Sequence, residues 1–150
     1  MSLTARLTRT NASLWSPLIL RLVVGGVMFG HGAQKLFGWF GGKGFEATVE
    51  GFAAMGMQPG FLWAGLAAVG ETLGGILLML GLLTRLAALN TAVIMAVAII
   101  KVHPSAFFLP TGMEYALTLL AASLVLIETG GGALSCDSKI GHGVSVIKPQ

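Results

Sequence analysis

Four stretches of this chain are long, apolar and sparingly charged: residues 17–38, 61–83, 85–102 and 112–128. A bilayer core of about 30 Å is crossed by roughly 20 helical residues. In hydrocarbon every backbone amide must find its partner within the protein, which favours helices for runs of this length. The first run, PLILRLVVGGVMFGHGAQKLFG, contains Arg21 and is followed by no small-residue cleavage site. It therefore reads as a span and not as a cleaved signal peptide. Runs two and three are separated by only a residue or two, which makes them an antiparallel hairpin. Pro104 and Pro110 mark a loop before the fourth run, and Gly130, Gly131 and Gly132 end that run.

A glycine-rich connection, residues 38–60, joins the first two runs. Within it Phe45, Val49 and Phe52 fall at i, i+4 and i+7, with Glu46 and Glu50 on the other side. That pattern predicts a short amphipathic helix lying in the membrane interface. The expected fold is all-α: an antiparallel integral-membrane four-helix bundle with this interfacial helix between spans one and two. Residues 1–16 form a cytoplasmic head, 17–128 the transmembrane domain and 129–150 a polar cytoplasmic tail.

Composition narrows the functions open to such a chain. Of 150 residues, 55% are hydrophobic and 10% charged, against about a quarter charged in ordinary soluble domains. Cys136 stands alone, which excludes a disulfide framework or an internal dithiol relay. With three scattered histidines it makes no metal site. The nine Lys and Arg residues are dispersed and form no nucleic-acid-binding patch. Four spans put Arg6, Arg9, Arg85, Lys139 and Lys148 on one side. Lys35, Lys43 and Lys101 lie on the other with Glu46 and Glu50. The positive-inside rule then places both termini in the cytoplasm.

Ionisable residues inside apolar spans are costly and point to function. Arg21 and Lys35 are fourteen residues apart in span one, as are Glu114 and Glu128 in span four. Fourteen residues bring a side chain back to the same helix face about 21 Å away. The simplest arrangement sets spans one and four side by side, with ion pairs Arg21–Glu128 and Lys35–Glu114. Such pairs serve either to fix register or to form part of a site. Glu71 falls near the middle of span two, where a lone carboxylate must be protonated, paired or wetted. His31, Gln34 and Lys35 cluster at i, i+3 and i+4, and with Glu71 and His103 they are the candidates for a polar, ligand-binding or proton-exchanging pocket. The alternative is a buried polar network that specifies packing. Gly26-x-x-x-Gly30 and Gly70-x-x-x-Gly74 fit close helix contacts. The methionines read as packing or lipid-facing residues, and Trp63, Trp39 and Phe37 as interface anchors.

The segment HGAQKLFG at residues 31–38, the Gly-x-x-Pro turn at 56–59, GETLGGILLMLGLLTRLAAL at 70–89, His103, Glu114 and GGGALSCDSKIG at 130–141 together resemble the DoxX family. The resemblance covers nearly the whole chain. It implies a small four-helix protein of the bacterial inner membrane, linked in some relatives to quinol oxidase or thiosulfate:quinone oxidoreductase systems and in others to redox homeostasis. Cys136 stands where the family motif carries an aliphatic residue and takes no family role.

The leading expectation is therefore a membrane subunit that binds a quinone or similar head group beside a redox partner. No cofactor motif is evident in the chain and no catalytic residue is assigned. Any catalysis belongs to a quinone-linked oxidoreductase of which this is a subunit, not to a stand-alone enzyme. The alternatives are a non-catalytic scaffold for other membrane proteins and a small transporter, which needs a homo-oligomer.

Overall fold

A computed structural model describes residues 6–108, 110 and 112–144, with side chains as far as residue 140. Lys148, counted above among the positive charges, lies outside the described residues. The described residues form helices and no strands: α1 (Ser16–Phe37), a single 3-10 turn (Trp39–Gly41), α2 (Gly44–Ala54), α3 (Gly60–Leu80), α4 (Thr84–Val97), a π-helical turn (Ala98–Val102), α5 (Glu114–Thr129) and α6 (Cys136–Val144). Helix α1, helix α3, and α4 with its π turn are each long and apolar enough to cross a membrane. Helix α5 has 16 residues, a length of about 24 Å. The four long helices form the expected antiparallel bundle.

The core is built mainly from small residues and methionine. Val24 and Met28 of α1, Leu78 of α3, Ala87, Ala88 and Met95 of α4, and Ala116, Leu119 and Leu126 of α5 form one buried cluster. The outward faces carry the larger apolar side chains, with Ile19, Leu22, Val23, Leu66, Leu73, Val93 and Leu124 all exposed. A belt of that extent on a chain this poor in charge matches lipid, not water.

Helix α1 packs chiefly against α3, and α5 against α4. This corrects the expected pairing of spans one and four. The cause lies in three glycines. A Cβ on Gly32 would overlap Thr72, one on Gly25 would meet the Gly75 carbonyl at 2.8 Å, and one on Gly75 would meet the Phe29 amide at 2.5 Å. Without side chains at these sites the two backbones come into contact. Gly26 and Gly30 face open space instead, so the spacing expected to mark the contact does not. Gly70 and Gly74 do mark one, since both make room for the Asn90 side chain of α4. Gly32→Ala is expected to destabilise the protein by about 1–3 kcal/mol through overpacking. Gly30→Ala should be neutral or slightly stabilising. Thermal melts of the two variants in one detergent check the pair.

The contacts Gly32–Thr72 and Gly25–Met79 set α1 out of step with α3. The C-terminal end of α1 therefore stops several residues short of the first turn of α3. The 3-10 turn and α2 occupy the remaining depth. Helix α2 is amphipathic as expected: Phe45, Val49 and Phe52 are half-buried and Glu46 and Glu50 exposed. Phe45 packs edge-on against Phe61 with ring centroids 6.2 Å apart.

At the opposite end, the segment read as a polar tail is part of the fold. Residues 130–133, Ser135 and Asp137 are buried. The Asp137 carboxylate accepts hydrogen bonds from the amides of Leu83 (2.8 Å) and Thr84 (2.9 Å), capping α4. The Asp137 amide donates to the Gly81 carbonyl, which ties the tail to the α3–α4 turn.

Arg21 is 1% exposed and lies in this same region. Its guanidinium donates to the carbonyls of Leu78 and Met79 at the end of α3, and to those of Gly131 (3.0 Å), Ala133 (3.1 Å) and Leu134 (2.9 Å). The Arg21–Glu128 ion pair is thus not formed, and the Glu128 side chain is exposed. Helix C-termini present unpaired carbonyls and partial negative charge, which a buried guanidinium satisfies without any carboxylate. Arg85 acts alike on α5, donating to the carbonyls of Ile127, Glu128 and Arg9.

Candidate functional site

The α1–α3 contact also builds the site. Gly32 holds α1 against Thr72, the neighbour of Glu71 in α3. Lys35 is three residues further along α1, and from there its ammonium reaches the Glu71 carboxylate, Nζ to Oε2, at 2.5 Å. The Glu71 side chain is 6% exposed and that of Lys35 26%. The partner expected for Lys35 was Glu114. That pairing is replaced because α3, not α5, is the close neighbour of α1.

The Lys35–Glu71 pair forms part of the wall of an open cavity of about 630 Å³ lined by the four long helices and the α2 region. Ligand sites for small molecules commonly fall between about 300 and 1,000 Å³. His31, one turn before Lys35, lines the cavity, and so does His103, which follows the π turn. Four of the five expected pocket residues therefore share one space. Gln34 does not line it. Its side-chain amide donates to the Phe40 carbonyl at 3.2 Å and anchors the glycine-rich loop. Glu114 does not line it either.

Two polar cavity residues were not among the expected site residues. Tyr115 faces His31 with ring centroids 6.2 Å apart. Asn90 donates from Nδ2 to the Gly70 carbonyl at 2.9 Å. Asn90 had a signal, being an amide inside an apolar run. Tyr115 had none that distinguishes it from an interface aromatic. The rest of the lining is apolar and soft. Met28, Met55 with Met57, and Met95 come from three separate parts of the chain, and Phe52 and Trp63 join them. Residues that look scattered in sequence thus converge in space, and methionine adapts its shape to varied contents. The π turn contributes Ala98 and Val102 to the wall, and single π turns inside helices recur at functional sites.

Chemically, the cavity offers an ammonium, a carboxylate, two imidazoles, a phenol and an amide on an otherwise apolar surface. Such a set can hydrogen-bond carbonyl oxygens and pass protons. Among the described residues no group of three or more His, Cys, Asp or Glu is placed to hold a metal ion.

The DoxX family model matches residues 16–104, more than half of the chain. The chain belongs to the DoxX family. A relative from Bacillus subtilis (strain 168), described as "Putative oxidoreductase CatD", is 34% identical over 120 residues, covering 80% of this chain and 83% of its own. No solved structure matches the chain. The matched region of this DoxX protein runs from the start of α1 to just beyond the π turn, and so includes His31, Lys35, Glu71, Asn90 and His103.

Proposed function

We propose that this DoxX protein is a quinone-binding membrane subunit that works beside a separate redox protein. The observation that carries the reading is the convergence of His31, Lys35 and Glu71 on one largely apolar cavity of about 630 Å³. A quinone ring needs apolar walls and a donor at each carbonyl oxygen, and the cavity supplies both. Lys35 and His31 donate to the oxygens. Glu71 and His31 exchange the protons that accompany two-electron reduction to the quinol, and the electrons come from the partner. The oxidoreductase description of the Bacillus relative supports a redox setting.

The protein lies in the bacterial inner membrane with four crossings and both termini in the cytoplasm. Arg85 bonds to the Arg9 carbonyl, so these two cations share the end of the bundle where the chain begins. The positive-inside rule assigns that end to the cytoplasm. The cavity then opens from the outer half.

The test is to identify the small molecules that copurify in mild detergent, wild type beside Glu71→Gln. A quinone in the wild type that is lost from the variant is the expected result. A stable bundle empty in both would replace this reading with that of a scaffold, and partner capture would follow.

A further inference from the structure

The main cavity stops short of the tail end of the bundle, where Leu78, Ala87, Ala88 and Leu126 fill the space between the helices. At its limit Asn90 pins the seam between α3 and α4, its amide donating to the Gly70 carbonyl at 2.9 Å. A Cβ on Gly74 would meet that amide nitrogen at 2.8 Å, so the Asn90 side chain plugs the seam where the glycines leave room.

On the α2 side of this plug the seam parts. Helix α3 carries an exposed apolar stripe of Leu62, Leu66, Val69 and Leu73, and α4 one of Leu86, Leu89 and Val93. At about 100° per residue each stripe keeps to one helix face, the face towards lipid. Leu66 and Val93 are 58% and 55% exposed, and both also line the cavity. A side chain of the outer stripe borders an interior space only where the neighbouring helices stand apart. Trp63 and Val97 line the cavity beside them. From Trp63 to Gly70 the gap is about 10 Å high. Leu66, Val93 and Val97 are aliphatic, and the Trp63 indole N–H is taken by the Gln58 carbonyl (3.3 Å). The polar pair His31 and Tyr115 lies elsewhere, between α1 and α5.

We infer that this gap is a lateral portal through which the cavity exchanges its ligand with the bilayer, so that the ligand is a ring compound dissolved in lipid and not a solute taken from water. The inference rests on the reading of the cavity as a ring site and adds the ligand's source and its route. An apolar ring leaves water for hydrocarbon, so the membrane is where such a ligand is concentrated. A path between Leu66 and Val93 spares it any passage through water. The backbones that flank the gap are helical and pair their own polar groups, so a passing ring meets side chains alone.

The experiment uses the full chain in lipid nanodiscs, with Cys136→Ser, and with Trp15→Phe and Trp39→Phe so that Trp63 reports alone. Leu66→Cys and Val93→Cys are joined by a short bis-maleimide, and the same protein with both thiols capped by N-ethylmaleimide is the control. The probe is a fully substituted benzoquinone with a ten-carbon chain, followed by stopped-flow quenching of Trp63. The bridge should slow binding and release together, each at least tenfold. A like bridge between Leu73→Cys and Leu86→Cys, on the tail side of Asn90, should leave both rates unchanged. The double variant Leu66→Phe, Val93→Phe narrows the gap without a cross-link and should slow both rates likewise. Rates equal to the control in the bridged and phenylalanine proteins would overturn the portal and leave the ring site standing. Equal slowing by the two bridges would also overturn it, because breathing of the whole bundle would then set the rate. Absence of saturable quenching in the unbridged protein and in the wild type would overturn the ring site and the portal together.

Discussion

Arg21→Met is expected to cost the protein about 3–5 kcal/mol, a large share of the 5–15 kcal/mol that holds a typical fold together. A guanidinium has five N–H groups, and in this bundle the five hydrogen bonds of Arg21 go to five carbonyls. Two belong to the end of α3 and three to the loop before α6. Methionine fills a similar volume but takes the guanidinium donors from all five in a site from which water is excluded, and of the five Leu78 keeps the Gly81 amide. Arg21→Lys keeps the charge but has three donors and no planar fork, so it should recover only part of the loss. Glu128→Gln should have no measurable effect, since its side chain is exposed. Thermal unfolding followed by circular dichroism in one detergent ranks the three variants. Equal damage from Arg21→Met and Glu128→Gln would restore the ion pair and discard the carbonyl-capping account.

Much of this architecture can be read from the chain because lipid simplifies the problem. Run length alone gives the four long helices, and the spacing of Phe45, Val49 and Phe52 gives α2. His31, Lys35 and Glu71 are legible for the same reason, since an ionisable group in hydrocarbon is too costly to be incidental; His103 lies just beyond its run. Neighbour identity was not legible. Helix phase and depth say which face a residue occupies, and Arg21 and Glu128 match well in both. They do not say which helix covers that face. That choice was made by Gly25, Gly32 and Gly75, whose missing side chains admit α3, and twenty-two glycines hide three effective ones. The tail was misread for a related reason. Its polar composition suggests solvation, yet its carbonyls are what Arg21 requires and its Asp137 caps α4. Polar groups that satisfy a buried partner cannot be told by composition from those that satisfy water. Gln34 shows the converse, a residue correctly placed beside the site whose side chain serves a loop.

The Lys35–Glu71 pair separates a structural role from a functional one, because the two make opposite predictions for a double variant. Removing either partner alone leaves a charge facing a low-dielectric cavity. A fully buried pair would lose about 3–5 kcal/mol in that event. Lys35 is about a quarter exposed, which screens it, so Lys35→Met or Glu71→Leu alone should cost about 1–3 kcal/mol. The double variant removes both charges and puts apolar groups of similar size into the largely apolar cavity wall, so most of the lost stability should return. Ligand binding should not return with it. Each single variant and the double should bind a tailed quinone at least tenfold more weakly than the wild type, a difference of about 1.4 kcal/mol. If the pair served only to fix the register of α1 on α3, the double variant would regain stability and binding together. Thermal melts and quinone titrations on the four proteins of this cycle decide between them. Wild-type affinity in the double variant would remove Lys35 and Glu71 from the site and leave His31, His103 and Tyr115 to carry the polar contacts.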